Sequence, residues 1–318
     1  MSLLSVEKLS VGFPGHVAVH ESSFTIEAGE TLALVGESGC GKSVTAFSVM
    51  RLLPPNARVT SGRILFDGAD LLTKTPAEMR DVRGKQISLI QQEPMTSLNP
   101  VLSIGVQIME VIRRHEKVSR KAARARAIEL LELVSIPNAR ERIDDYPHNL
   151  SGGMRQRVMI AMAVACHPKL LIADEPTTAL DVTTQAQVLD LLDDLRHRLK
   201  MAVLLITHDL GVVAQWADRI AVMYAGRIVE KADIKPFFAE PLHPYSRGLL
   251  GARVDVDTEE HYLSDRLTEI PGSVGSAAME AGCPFAPRCP IVVPGCRLKP
   301  PALVVNGERA VACPRVTA

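Results

Sequence analysis

The chain has 318 residues, enough for one large domain with an extension or for two domains. Hydrophobic residues make up 47% and charged residues 23%, the balance of an ordinary soluble globular protein, and 36 basic side chains match 36 acidic ones. A net charge of zero argues against nucleic acid or an anionic lipid surface held by bulk charge, and leaves only local patches. The opening MSLLSVEKLS has no basic n-region, no long apolar h-region and no small-residue cleavage site, so no signal peptide is expected. The longest apolar stretch, VMIAMAVAC at 158–166, has nine residues. That is far short of the roughly 20 needed to cross a bilayer. A cytosolic chain keeps its thiols reduced, so clustered cysteines point to metal binding or redox chemistry rather than to disulfides.

Along the chain, LSVEKLSVGF and SSFTIEAGE alternate and end in turn residues, which predicts antiparallel strands. TLALVG at 31–36 is an apolar run that stops at a glycine, and a helix is expected from Lys42 to the Pro54-Pro55 break. SGRILFDG and KQISLIQQEP read as further strands. From about 100 to 150 the pattern turns helical. RKAARARAIELLELV carries apolar positions at helical spacing and a basic face that reads as solvated surface. KLLIADEP and AVLLITHD are short apolar runs suited to buried parallel strands, and RIAVMYAGRIVEKA reads as a hairpin turning at Ala225-Gly226. Strands alternating with helices predict an α/β core. Residues 236–318 are rich in Pro, Gly and Cys and are expected to form a separate appendage.

GESGCGKS at 36–43 fits G-x-x-x-x-G-K-[ST], between a predicted strand and a predicted helix. Gly36, Glu37, Ser38, Gly39, Cys40 and Gly41 form a loop whose backbone N–H groups can point at phosphate oxygens, and the helix N-terminus adds partial positive charge. Lys42 can reach the β- and γ-phosphates, and the Ser43 hydroxyl can hold Mg²⁺. Cys40 occupies a variable loop position and reads as a small filler.

A second helix start able to hold an anion follows in LSGGMRQR at 150–157, where Ser151, Gly152 and Gly153 precede an apolar helical run. With this stretch the sequence, over roughly 5–235, resembles an ABC-type ATPase, whose signature is LSGGQ; Met154 stands where the family has Gln. The resemblance implies a RecA-like core with an antiparallel β subdomain and a helical subdomain at about 96–160. It also implies a head-to-tail dimer, in which the phosphate loop of one subunit and the signature of the other clamp the same ATP. Residue by residue, it implies that Asp174 holds Mg²⁺ and that Glu175 is the general base for the attacking water. Asp181 would lie in the D-loop, which touches the opposite subunit. His208 would contact the γ-phosphate, Gln92 would sense Mg²⁺ and the attacking water, and Phe13 would stack on adenine.

QQEPMTSLNP at 91–100, HPYSRGLL at 243–250, IPGSVG at 270–275 and the cysteine tail resemble the ATPase subunits of bacterial di- and oligopeptide importers. That branch implies two membrane permease subunits, a homologous second ATPase chain, an extracytoplasmic substrate-binding protein and a peripheral place on the cytoplasmic face of the inner membrane. Close relatives move nickel complexes, glutathione, opines or oligosaccharides, so those cargoes stay open, as does a soluble ABC protein without a membrane partner. Cys283, Cys289, Cys296 and Cys313 have spacing C-x5-C-x6-C-x16-C among many prolines. Four thiolates suit a 4Fe–4S cluster or a structural Zn²⁺, and the resemblance favours the 4Fe–4S cluster as the cofactor there. The expected division is an ATPase domain at 1–235 and a peptide-importer-type extension at 236–318.

Overall fold

The computed structural model describes residues 2–91, 97–178, 180–252, 270, 272, 281–307 and 309–316. The chain opens with β1 (Leu4–Phe13) and β2 (His16–Ile26), which pair antiparallel with Phe13 opposite His16. β3 (Thr31–Val35) is buried along its whole length, as an apolar central strand must be. Gly41, at φ 106°, turns the chain into α1 (Lys42–Met50). This helix ends a turn earlier than the Pro54-Pro55 break predicted. Arg51 takes the left-handed conformation, φ 49°, and its N–H closes back on the carbonyls of Phe47 and Ser48. β4 (Arg58–Phe66) and β5 (Ala69–Asp70) complete a four-stranded antiparallel sheet in the order β2-β1-β4-β5. α2 (Pro76–Val82) starts from a reciprocal capping box between Thr75 and Glu78, with proline at its first position.

β6 (Ile87–Ile90) leads to the helical lobe, made of α3 (Ile104–His115), α4 (Arg120–Leu133), the short α5 (Ala139–Arg142) and α6 (Gly152–Val164). Ser103, Ser119 and Ser151 each cap their helix by accepting a backbone N–H three residues on. Ile104, Ile108 and Ile112 of α3 meet Ala123, Ala127 and Leu131 of α4 in one core with Val158 of α6. The basic face of α4 is partly solvated, but Arg124 pairs with Asp144, and Arg126 pairs with Glu116 and donates to the Ala165 carbonyl.

The second sheet follows with β7 (Leu170–Asp174), α7 (Val182–Leu199), β8 (Ala202–Thr207), α8 (Leu210–Trp216), β9 (Arg219–Tyr224) and β10 (Arg227–Asp233). β6, β7, β8, β3 and β9 run parallel, and β9 turns back into β10 through Ala225 and Gly226, both at positive φ, as the hairpin reading expected. α9 (Ile234–Ala239) and α10 (Pro244–Gly251) cross this edge, and β11 (Val304–Asn306) and β12 (Arg309–Val311) add to it. Among the described residues the order is β11-β12-β10-β9-β3-β8-β7-β6.

The separate appendage expected from composition is therefore revised. β12 pairs with β10, and Tyr245, Phe285, Cys283 and Cys296 are buried in one cluster with Val35, Val222, Tyr224 and Phe237. Composition shifted at 236, but the core did not end there. No helix among the described residues is long and apolar enough to cross a membrane.

Candidate nucleotide site

The predicted phosphate loop runs from the end of β3 into α1. Gly36 has no room for a side chain, since a Cβ would lie 2.1 Å from the Met223 carbonyl oxygen and 2.7 Å from the Cys40 sulfur. Lys42 lies buried under the loop, with its ammonium donating to the carbonyls of Gly36 at 2.7 Å and Glu37 at 3.0 Å. Ser38 and Gly39 are exposed at the loop's crest. Cys40 is a buried filler, and burial pushes its thiol up.

Asp174 ends β7 and is buried. Burial raises its carboxyl above the usual range, opposed by a hydrogen bond from Ser43 and by nearby Lys42. Its Oδ1 is buried with no hydrogen-bond partner. An orphaned acidic oxygen beside a hydroxyl is the donor set of a hard divalent cation, so the residues fit Mg²⁺. Glu175 follows at φ 47°, with its N–H donating to the Ile206 carbonyl. Its carboxylate accepts the Thr178 hydroxyl at 3.0 Å and lies 3.4 Å from His208 Nδ1. Glu175, Thr178, Leu180, Thr207 and His208 line a cleft of about 240 Å³, with the His208 side chain 68% exposed at its mouth. Burial near a carboxylate, an exposed imidazole and an open cleft together form a place where water could be activated.

The signature stretch lies elsewhere. Ser151 and Gly152 are exposed at the start of α6, and the Ser151 hydroxyl caps the helix by accepting the Met154 N–H. Gly153 packs so closely on α7 that a Cβ would meet Thr184 Cγ2 at 2.7 Å. Asp181 caps α7, accepting from the Thr184 N–H at 3.0 Å and the Thr184 hydroxyl at 2.7 Å, and the hydroxyl bond, then the N–H bond, lower its carboxyl. Gly153 thus lies beside Thr184, the residue that Asp181 holds, within the same chain. Gln156 of α6 also donates to the Pro176 carbonyl just beyond Glu175, a link the sequence reading missed. Phe13 is half-buried and stacks on His16, centroids 5.1 Å apart, a pairing that could have been read from their places across a two-residue turn. Gln92 lies outside the described residues.

The metal reading of the tail is corrected. Among the described residues, which include Cys283, Cys289, Cys296 and Cys313, no three His, Cys, Asp or Glu side chains form a group able to hold a metal ion, and all these cysteines are free. The structure therefore supports neither the 4Fe–4S cluster nor zinc. Cys283 and Cys296 pack in the apolar cluster, tied by the Cys283 N–H to the Cys296 carbonyl at 2.7 Å. Burial pushes the Cys283 thiol up to about 11 and raises that of Cys289.

A parallel sheet with a lysine-bearing glycine loop after one strand and adjacent carboxylates ending another defines a P-loop nucleoside-triphosphatase. Comparison with known proteins narrows the class. The family model described as ABC transporter matches residues 19–178, and that of the oligopeptide/dipeptide transporter C-terminal region matches 229–296. The chain is 50% identical to the dipeptide transport ATP-binding protein DppD of Bacillus subtilis, over 98% of this chain and 94% of that protein. It is 53% identical to the oligopeptide transport ATP-binding protein OppD of the same organism, over 85% of this chain and 76% of that protein. Among solved structures it is similar to the dimeric ATP-binding cassette MJ0796 bound to ADP and Pi, with TM-score 0.65, 25% identity, and 73% of this chain and 98% of that chain covered. It is also similar to cbiO1 of Clostridium perfringens, part of the ABC transporter complex cbiONQ, with TM-score 0.67, 28% identity, and 75% and 91% covered. The chain belongs to the ABC transporter family, as an ATPase.

Proposed function

We propose that the chain is the ATP-hydrolysing motor subunit of a bacterial ABC importer of dipeptides and oligopeptides. The observation that carries this reading is the near-full-length likeness to dipeptide and oligopeptide transport ATP-binding proteins, with the transporter's own C-terminal region present. The cargoes left open by the sequence find no support of their own among these relatives.

In this reading Gly36–Ser43 cradles the ATP phosphates, Phe13 stacks on adenine, and Lys42 exchanges its two loop carbonyls for β- and γ-phosphate oxygens. Ser43 and Asp174, with Gln92 the third expected ligand, would hold Mg²⁺, which supplies charge neutralisation at the phosphates. Glu175 takes a proton from the water whose oxygen bonds to the γ-phosphorus, as the bond to the ADP oxygen breaks. His208 donates a hydrogen bond to the γ-phosphate. Ser151, Gly152 and Gly153 close over the ATP of a second, homologous ATPase chain, with Asp181 at the subunit boundary. The nucleotide motifs lie within residues 1–235, and residues 236–318 form the importer-type extension packed against them. Two permease subunits take up the motion at the cytoplasmic face of the inner membrane, where the chain sits peripherally, and a substrate-binding protein delivers cargo from outside.

The test is reconstitution with the permeases, the partner ATPase and the binding protein, measuring ATP hydrolysis with and without a mixture of short peptides. Peptide-stimulated hydrolysis supports the reading. Hydrolysis stimulated by a different cargo class, and not by peptides, removes the peptide assignment and keeps the motor.

A further inference from the structure

The phosphate loop is gripped from outside by the C-terminal region. Glu37, the loop's second residue, is held at three points. Its carbonyl accepts from Lys42 at 3.0 Å, its backbone N–H donates to the Tyr245 hydroxyl at 2.9 Å, and its carboxylate accepts from Arg288 Nη1 at 2.9 Å. We propose that Tyr245 and Arg288 are positioning residues of the phosphate loop, through which docking of the C-terminal region sets the affinity for ATP.

Both partners are themselves rigid. Tyr245 is fully buried in the first turn of α10. His243 caps that helix, its Nδ1 accepting the Tyr245 N–H at 3.1 Å. The turn before it is anchored by Glu230 of β10, whose fully buried carboxylate accepts the N–H groups of Leu242 and His243, each at 2.8 Å. The Tyr245 ring packs against Tyr224 and Phe285, so its hydroxyl reaches the loop from a fixed base. Arg288, in the segment FAPRC, keeps only 5% of its side chain exposed. Its guanidinium lies over the Tyr224 ring, donates to the Tyr224 hydroxyl at 3.4 Å and also donates to the Ile270 carbonyl at 3.0 Å. A cation so enclosed cannot follow a moving loop, so the loop is fixed relative to it.

The charge argument gives the direction. A loop that must receive a polyphosphate carries a carboxylate at its second position, and like charges repel in a partly buried site. Arg288 neutralises that carboxylate and holds it on the side of the C-terminal region. Tyr245 fixes the backbone of the same residue. Loss of either contact frees Glu37 to turn its charge, or its carbonyl, toward the phosphates. Nothing in the motif GESGCGKS announces this, because the partners lie 208 and 251 positions away.

The inference rests on the reading of Gly36–Ser43 as the ATP site. The test uses the full chain and measures ATP dissociation constants by calorimetry with Mg²⁺ present, alongside Lys42→Ala. Arg288→Gln is expected to weaken ATP about tenfold in the wild-type background and about twofold or less in a Glu37→Gln background, the coupling that a direct pair produces. Tyr245→Phe keeps the buried ring, loses only the hydroxyl and is expected to weaken ATP about threefold or more. An equal loss from Arg288→Gln in both backgrounds, or unchanged affinity in Arg288→Gln and in Tyr245→Phe, overturns the proposal. Should Arg288→Gln fail to fold, Tyr245→Phe alone decides. If Lys42→Ala binds ATP as well as the wild type does, the ATP-site reading itself has failed, and this inference with it.

Discussion

Glu175 holds its carboxylate between the Thr178 hydroxyl and the exposed ring of His208, on a backbone turn that non-glycine residues seldom adopt. Glu175→Gln preserves size and both hydrogen-bonding partners while removing the proton acceptor. Turnover in the assembled ATPase is expected to fall by about 10²–10⁴-fold with ATP still bound, as measured by phosphate release against nucleotide retention. Near-normal phosphate release would remove Glu175 from the role of base. Asp174 presents the opposite balance, with a buried, unpartnered Oδ1 that costs stability and serves only when a cation is present. Asp174→Asn is expected to melt higher than the wild type without nucleotide or metal, by about 1 kcal/mol, and to lose Mg²⁺-dependent hydrolysis. A thermal scan without metal, paired with a hydrolysis assay, checks both arms.

At the scale of elements, α10 shows how the three residues HPY at 243–245 act as a unit. His243 caps the helix, Pro244 fills its first position, and Tyr245 reaches the phosphate loop. Burial holds the His243 ring neutral, pushed down to about 4 from an ordinary value near 6.5. The unfolded chain takes up a proton as pH falls through 6.5, but the folded chain does not until about 4. Stability from this group is therefore full above pH 6.5 and is lost as pH falls toward 4, a loss of about 3 kcal/mol. His243→Asn keeps a capping acceptor and removes the titration. Urea unfolding at pH 7 and 4.5 is expected to show a steeper loss in the wild type than in the variant, and parallel losses would refute the assignment. The sequence made the local elements of this site legible. Glycine turns, buried strands and the strand–loop–helix order around Lys42 depend on neighbours in the chain. The overrun of α1 past Met50 shows the limit even there, since nothing local marked Arg51 as a left-handed stop. The cysteine tail misled for a related reason. Spacing records how far apart thiols lie along the chain, and not whether three of them come together in the geometry of a metal site.

At the scale of the whole molecule, the boundary at 235 followed composition, but the packing crosses it. β10 carries β12 on its outer edge and buries Glu230 under the backbone of Leu242 and His243, while Tyr224 of β9 packs against Tyr245 and Phe285. Such long-range pairings are invisible to a reading of local pattern, because each partner alone looks like an ordinary buried aromatic or a surface charge. A chain ending at 235 would expose the faces of Tyr224 and Val222 and leave the Glu230 carboxylate without its donors. Deleting one buried aromatic costs about 3–5 kcal/mol, and here Tyr245 and Phe285 go together with Phe237, against a total stability of about 5–15 kcal/mol. The shortened chain is therefore expected to lose its cooperative thermal transition and to aggregate, although it keeps every nucleotide motif. Calorimetry and light scattering on the two lengths check this. A shortened chain that melts cooperatively near the full-length temperature would restore the extension to the status of an appendage, and would show that the cluster around Tyr224, Tyr245 and Phe285 contributes little to stability.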